Sequence, residues 1–111
     1  MSEEIKQGSV VIVAFKYQES NQVKKRPALV LEVFPKSYYL CQITSTDGRG
    51  KRPGKWIEKD SDVGQEMGLL NSSYINYVQA KEVMKTMVFI PPSPVGYCFL
   101  INQILQEIDD L

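Results

Sequence analysis

The chain has 111 residues and a mass of 12.6 kDa, enough for one domain with one modest hydrophobic core. Hydrophobic residues make up 43% of it and charged residues 23%, which is typical of a globular protein and not of a disordered one. Thirteen basic and thirteen acidic residues give a formal net charge of zero, and the absence of histidine excludes imidazole acid–base catalysis and histidine-ligated metals.

The first part of the chain predicts three β-strands. Gly8 precedes a β-branched apolar run at 10–15, whose short length favours a strand over a helix. A second apolar run covers 28–34, and we expect Pro27 at the first position of that strand because proline has no amide hydrogen to donate. The third predicted strand covers 38–45. Its alternation directs Tyr39, Cys41 and Ile43 to one face and Tyr38, Leu40, Gln42 and Thr44 to the other.

The middle of the chain alternates between loops and short strands. Residues 46–53 form a basic loop interrupted by glycines, and 56–57 read as a short strand. Residues 60–65 are rich in turn formers. Two further strands are predicted at 74–78 and 83–90, before a cluster of prolines.

An amphipathic helix is predicted at the C-terminus. Its apolar residues recur at helical spacing, and its polar residues lie on the opposite side. The apolar set is Tyr97, Leu100, Ile101, Ile104, Ile108 and Leu111, and the polar set is Gln103, Glu107 and Asp110. Short strands followed by one helix indicate a mainly β protein, a small antiparallel barrel or strongly bent sheet, formed as a single domain over residues 1–111.

The two cysteines predict no cofactor site. Cys41 and Cys98 lie 57 residues apart, without the spacing of a zinc or redox motif, so we expect buried free thiols in a cytoplasmic protein. No apolar run reaches the roughly 18 residues that a membrane span needs. The acidic start Met1–Glu4 is unlike a secretory signal.

Charge is unevenly distributed along the chain. The segment from Lys16 to Lys59 holds ten basic and four acidic residues, a net charge of +6 against −6 for the remainder. Such segregation can focus a positive field on one side of a small protein, which suits RNA or an acidic peptide. Ordinary solvated loops explain the same pattern.

Two sites along the chain carry groups suited to phosphate chemistry. Arg26 follows two lysines at the mouth of the second strand, where Pro27 biases it toward extended geometry. Thr44 and Ser45 place two hydroxyls at the end of the third strand. Taken singly, a solvated arginine and hydroxyls that satisfy turn backbone are the simpler interpretations, and the turn 68–73 is interpreted as structural.

Together these patterns resemble the MazF/PemK family of toxins from type II toxin–antitoxin systems, over about residues 8 to 108. The resemblance rests on five motifs taken in order: Gly8 with the strand ending in Phe15, Lys25-Arg26-Pro27-Ala28-Leu29-Val30-Leu31, Cys41-Gln42-Ile43-Thr44-Ser45, Gly68-Leu69 with Ser73, and Val95-Gly96. Two departures mark a divergent member. Ser9 stands where many members have aspartate, and Gln42 stands where many have proline.

The resemblance implies an SH3-like antiparallel barrel of the MazF/PemK and CcdB-like toxin fold, closed by a C-terminal helix. It implies a homodimeric, metal-independent endoribonuclease without cofactors, which cuts single-stranded RNA and is neutralised by a cognate antitoxin. The family's catalytic arginine and threonine correspond to Arg26 and Thr44.

Further residues are predicted to guide the RNA backbone, and the groove they border is expected to accept an acidic C-terminal segment of the antitoxin. The predicted RNA-binding residues are Lys24, Lys25, Ser45, Arg49, Lys51 and Arg52. One alternative is a catalytically silent barrel that binds RNA or a protein partner. Another is a toxin that poisons a topoisomerase on the same fold.

Overall fold

The computed structural model describes residues 5–16, 23–45, 53–88 and 96–111. Within these ranges the chain forms β1 (Ser9–Lys16), β2 (Val23–Val33), β3 (Ser37–Thr44), β4 (Gly54–Ile57), α1 (Asp62–Met67), β5 (Ser73–Met84), β6 (Gly96–Tyr97) and α2 (Ile101–Asp109). A single 3₁₀ turn, Lys85–Met87, follows β5. Neither α-helix in this part of the chain is long and apolar enough to cross a bilayer.

The strands form one antiparallel sheet in the order β4-β5-β3-β2-β1-β6. Register shifts interrupt the pairing of β2 with β3 between Val30 and Glu32, and that of β3 with β5 between Cys41 and Ile43. Shifts of this kind bend a strand and increase its twist, so the sheet curls into a half-barrel. This confirms the predicted mainly β fold with a C-terminal helix.

The sheet has a hydrophobic cluster on each face. The helix face, defined by Val10, Leu29 and Cys41, packs against buried residues of both helices. The far face is defined by a second set of buried residues, Val11, Val13, Ala28, Val30 and Leu40. Cys41 and Ile43 lie in the first cluster and Tyr38 and Leu40 in the second, as the predicted alternation of β3 requires.

The predicted position of Pro27 is wrong. β2 begins at Val23, so Pro27 lies inside the strand, opposite Ile12 of β1. The pairing of β2 with β3 begins only at Ala28. The ladder to β3 therefore requires no amide hydrogen from Pro27, and the proline is tolerated within a strand.

Residues 60–65, expected to form turns, instead contain the start of α1. The Ser61 hydroxyl caps this helix by accepting a hydrogen bond from the amide of Gly64 (3.1 Å). Gly68 ends the helix with φ +74°, a left-handed conformation that favours glycine. A six-residue helix is too short to show the apolar periodicity by which helices are recognised in a sequence.

The two predicted strands at 74–78 and 83–90 are replaced by one continuous strand and a 3₁₀ turn. β5 runs unbroken from Ser73 to Met84, and Val88 then bridges to Val13 of β1. Residues 89 and 90 lie outside the described residues. Lys81 and Glu82 lie between the two predicted strands, and both are exposed, so β5 continues through them without burying a charge.

The C-terminal helix is confirmed, with a later start than its apolar pattern indicated. Tyr97 belongs to β6, and α2 begins at Ile101, with Ile101 and Ile104 buried on the helix face. Glu107, expected on the solvent side, faces the sheet. Its carboxylate accepts a hydrogen bond from the Tyr77 hydroxyl (2.6 Å) and lies 3.2 Å from the ammonium of Lys55.

Both cysteines are buried free thiols, as predicted. Burial raises the pKa of Cys41 to about 12 and also raises the pKa of Cys98. Both side chains belong to the core of the helix face. At neutral pH they are therefore protonated packing residues, because only the thiolate is a nucleophile or metal ligand.

The contact between α2 and β5 should depend on pH. The hydrogen bond from Tyr77 is the main cause that lowers the pKa of Glu107 below its usual 4.5. Because the folded-state pKa lies below that of the unfolded chain, the stabilisation is complete above pH 4.5 and is lost as the pH falls through the folded value. We expect Tyr77→Phe to lower the free energy of unfolding at pH 7 by about 1 kcal/mol, since Glu107 is partly exposed.

Urea denaturation at a series of pH values checks this expectation. The difference in the free energy of unfolding between wild type and Tyr77→Phe should shrink as the solution is acidified below pH 4.5. Tyr39→Phe, at an exposed tyrosine of β3, is the matched control and should change little. A difference that stayed constant or grew on acidification would contradict the assignment.

Candidate active site

Arg26 and Thr44 lie on the same face of the sheet, at the end where β3 stops. The last residue pair between β2 and β3 joins Ala28 to Gln42. Arg26 lies two residues before Ala28 and Thr44 two residues after Gln42. Because side chains two residues apart point the same way, both are directed to the far face. The pairing of Arg26 with Val13, a core residue of that face, supports this orientation.

Neither side chain is sealed in the core. Arg26 and Thr44 are both partly exposed, and each has an interaction partner within the protein. Arg26 stands on a strand paired with β1, and Thr44 pairs with Tyr74 of β5. Two rigid central strands therefore present a guanidinium and a hydroxyl at the accessible place where the pairing of β2 with β3 ends. Their catalytic role stays a prediction.

A cavity of about 570 Å³ opens beside Arg26. It lies on the helix face, between the start of β2, the end of β3 and the turn that follows α1. Its lining is mainly apolar and includes four polar or charged residues. The lining residues are Val10, Ile12, Arg26, Pro27, Ile43, Ser45, Met67, Gly68, Leu69, Leu70, Asn71 and Ser73.

Arg26 is the residue that joins the two parts of this region. It lines the cavity, and it also lies beside Thr44's strand where the pairing of β2 with β3 ends. Ser45, the exposed hydroxyl predicted to act with Thr44, lines the cavity as well. Thr44 does not belong to the lining of that cavity. Ser45 therefore lies at the cavity and Thr44 on the other face of β3, whereas Arg26 contributes to the cavity lining from a strand position that directs its side chain to the face of Thr44.

The turn 68–73, interpreted from sequence as structural only, forms one wall of the cavity. Leu70 is 88% exposed and Asn71 is exposed beside it. Sequence reasoning missed these residues as candidates for binding. The available signal was the apolar pair Leu69–Leu70 in a turn of otherwise small and polar residues.

Glu58, just after β4, fixes this turn through hydrogen bonds. One carboxylate oxygen accepts a hydrogen bond from the Ser72 hydroxyl (2.8 Å) and the other accepts one from the indole of Trp56 (2.9 Å). The Ser72 hydroxyl in turn accepts a hydrogen bond from the amide of Lys59 (3.0 Å). The turn is thus tied to the end of β4, which fixes the wall of the cavity relative to the sheet.

The structure describes the predicted RNA-binding lysines and arginines only in part. The backbones of Lys24 and Lys25 pair with Phe15 and Ala14 of β1, and their side chains lie outside the described part of the structure. The other predicted RNA-binding residues, Arg49, Lys51 and Arg52, also lie outside the described residues. Their role in RNA binding stays a prediction.

The hydrogen bonds of Ser72 generate a test of the fixed wall. We expect Ser72→Ala to lower the free energy of unfolding by about 1 kcal/mol, because it removes a bond to a carboxylate and one from a backbone amide. It should also speed hydrogen exchange at the Lys59 amide. Thr86→Ala, which removes an exposed hydroxyl from the 3₁₀ turn, is the control. Unchanged exchange at Lys59 would show that Ser72 does not hold the turn.

Comparison with known protein families matches residues 6–97 to the PemK-like, MazF-like toxins of type II toxin–antitoxin systems. The match includes Arg26, Thr44 and the turn 68–73, and it ends at Tyr97, before α2. No curated protein matches the chain significantly. A match over most of the chain shows the family, and it confirms the resemblance found in the sequence motifs.

Proposed function

We propose that this chain, which belongs to the PemK-like, MazF-like toxin family, is a metal-independent endoribonuclease that cuts single-stranded RNA and so inhibits translation and growth. Family membership establishes the type II toxin–antitoxin class and with it an antitoxin partner. The ribonuclease activity, the homodimer and the cytoplasmic location are part of the proposal.

The observation that carries the proposal is the shared position of Arg26 and Thr44 at the accessible place where the pairing of β2 with β3 ends. The two residues are distant in sequence, and the antiparallel register brings them to the same face. A cavity large enough for part of a nucleotide lies next to Arg26. A cation, a hydroxyl and a cavity side by side are suited to a phosphodiester that joins two nucleosides.

In the proposed reaction, the ribose 2′-oxygen attacks the adjacent phosphorus and the bond from phosphorus to the 5′-oxygen breaks. The 2′-hydroxyl loses a proton and the 5′-oxygen gains one, which leaves a 2′,3′-cyclic phosphate and a 5′-hydroxyl. Negative charge grows on the nonbridging oxygens. The planar guanidinium of Arg26 supplies several fixed donors to them, and it stays charged, so its role is to stabilise charge and not to accept a proton.

Thr44 supplies a second donor to the same phosphate. Its hydroxyl is carried at the end of a paired strand, so little reorganisation is needed when charge develops. Ser45, on the cavity side, is placed to contact an adjoining part of the RNA.

An acidic segment of the antitoxin is proposed to occupy the same groove as RNA. The +6 segment of the sequence, which includes Arg26, favours a negatively charged partner. Inhibition would then be competitive. Excess antitoxin peptide that left the RNA affinity unchanged would reject competition.

The second candidate, a silent barrel that binds RNA or protein, is separated from the enzyme by one assay. Pure protein is incubated with a long unstructured RNA in EDTA. An enzyme shortens the RNA and leaves cyclic phosphate ends, whereas a binding protein retards it intact.

Arg26→Ala tests the proposed charge stabilisation. We expect cleavage in EDTA to fall about 100- to 1,000-fold, as is usual when one preorganised donor is removed. Growth inhibition should disappear, with the circular dichroism spectrum and melting temperature unchanged. The control is Lys36→Ala, which removes an exposed cation beyond the opposite end of β3, about 20 Å or more from Thr44 along the strand.

Full activity of Arg26→Ala would reject the assignment. An equal loss in Lys36→Ala would indicate that net charge, and not the position of the guanidinium, determines the rate.

Substitutions of Thr44 test the hydroxyl separately. Thr44→Ser keeps the donor, so we expect a loss of less than about tenfold in cleavage rate, whereas Thr44→Val keeps the shape and should cost about 100-fold or more. Single-turnover cleavage of one RNA measures both variants. Equal rates for the serine and valine variants would show that the hydroxyl takes no part.

A further inference from the structure

We propose that the cavity beside Arg26 binds one unpaired base of the RNA substrate, and that Asn71 distinguishes that base from others. The inference rests on the proposed function, because it takes the scissile phosphate to lie at Arg26. It goes further by assigning a specificity-determining residue and the part of the substrate that this residue contacts.

The size and lining of the cavity suit a planar heterocycle. Its volume of about 570 Å³ accommodates a purine or a pyrimidine with room for part of the sugar. Ile12, Leu69 and Leu70 are the apolar lining residues that are partly or fully exposed, and they can contact the faces of a base. Proteins commonly recognise single-stranded RNA by burying splayed bases in this way.

Asn71 is the lining residue with the chemistry to distinguish bases. Its side-chain amide carries both donors and an acceptor, so it can pair with two neighbouring groups on a base edge. The other neutral polar residues of the lining, Ser45 and Ser73, carry single hydroxyls, which rotate to act as donor or acceptor and discriminate poorly. Asn71 is exposed, so a base edge can reach its side-chain amide.

The turn that carries Asn71 is held in place before any ligand binds. The Ser73 hydroxyl donates a hydrogen bond to the carbonyl oxygen of Asn71 (2.8 Å). Ser72 is tied to Glu58 on the other side of the turn. Because the turn is fixed on both sides, Asn71 loses little conformational entropy when it binds a base, which favours selective recognition.

The position of Arg26 links this cavity to the reacting phosphate. Arg26 lines the cavity and shares a face with Thr44 where the pairing of β2 with β3 ends, so a phosphate held at Arg26 has one neighbouring nucleoside next to the cavity. Leu70 belongs to the same lining and is 88% exposed. A base that enters the cavity would displace water from this apolar side chain. We therefore expect the cavity and Asn71 to recognise the base next to the cleaved bond.

The test measures binding without cleavage. RNA heptamers with 2′-fluoro sugars have no attacking hydroxyl, and each position is varied through the four bases in turn. Fluorescence anisotropy with wild-type protein should show one position at which the best base binds about tenfold or more tighter than the worst, as expected for one bidentate contact. Asn71→Ala should reduce that preference to about threefold or less.

Asn102→Ala removes an exposed asparagine on α2, away from the cavity lining, and should keep the wild-type preference. Ile12→Trp enlarges another side chain of the lining and fills part of the cavity. It should weaken binding of every heptamer and remove the preference, and it provides a second test if Asn71→Ala misfolds by circular dichroism.

Two results would overturn the proposal: no preference at any position in wild type, or a wild-type preference that survives in Asn71→Ala or in Ile12→Trp. The assay contains no cleavage step, so it does not depend on turnover. Selective binding without cleavage of natural RNA would reject the nuclease and keep the base pocket. Cleavage whose base preference is the same in wild type, Asn71→Ala and Ile12→Trp would keep the nuclease and reject the base pocket.

Discussion

The register between β2 and β3 is the constraint on which the candidate site depends. The pair Ala28–Gln42 fixes the face to which Arg26 and Thr44 are directed. A slip of one residue would turn one strand's side chains to the opposite face, so that Leu29 would replace the smaller Ala28 among the buried residues of the far face. Both faces of the sheet are packed with apolar residues here, so the core excludes the slipped register and thereby positions the site.

Much of the fold could be predicted because its signals are local. The alternation of β3 assigned each side chain to a face, and the apolar spacing around Ile101 and Ile104 identified α2. The failures have physical causes. Pro27 lies within a strand because β3 pairs only from the next residue onward. Glu107 turns to the sheet because Tyr77 and Lys55 meet it there, and a sequence pattern contains no information about that distant pair.

The candidate site was predictable in its chemistry and not in its shape. Arg26 and Thr44 were identified by family motifs, whereas the cavity wall at 68–73 was interpreted as an ordinary turn. That wall exists because Glu58, thirteen residues before Asn71, binds Ser72 and Trp56. Arg26 belongs both to the pair with Thr44 and to the lining of this cavity, so one residue connects a site suited to phosphate with a cavity suited to a base.

The central claim is that Arg26 and Thr44 act together on one phosphate, and a double-mutant cycle on single-turnover RNA cleavage tests it most directly. The rates of Arg26→Ala, Thr44→Val and the double variant are compared with wild type. Because groups that stabilise the same transition state act as a unit, the account predicts that the double variant is scarcely slower than Arg26→Ala alone. Losses that multiply, as for two independent sites, would contradict it.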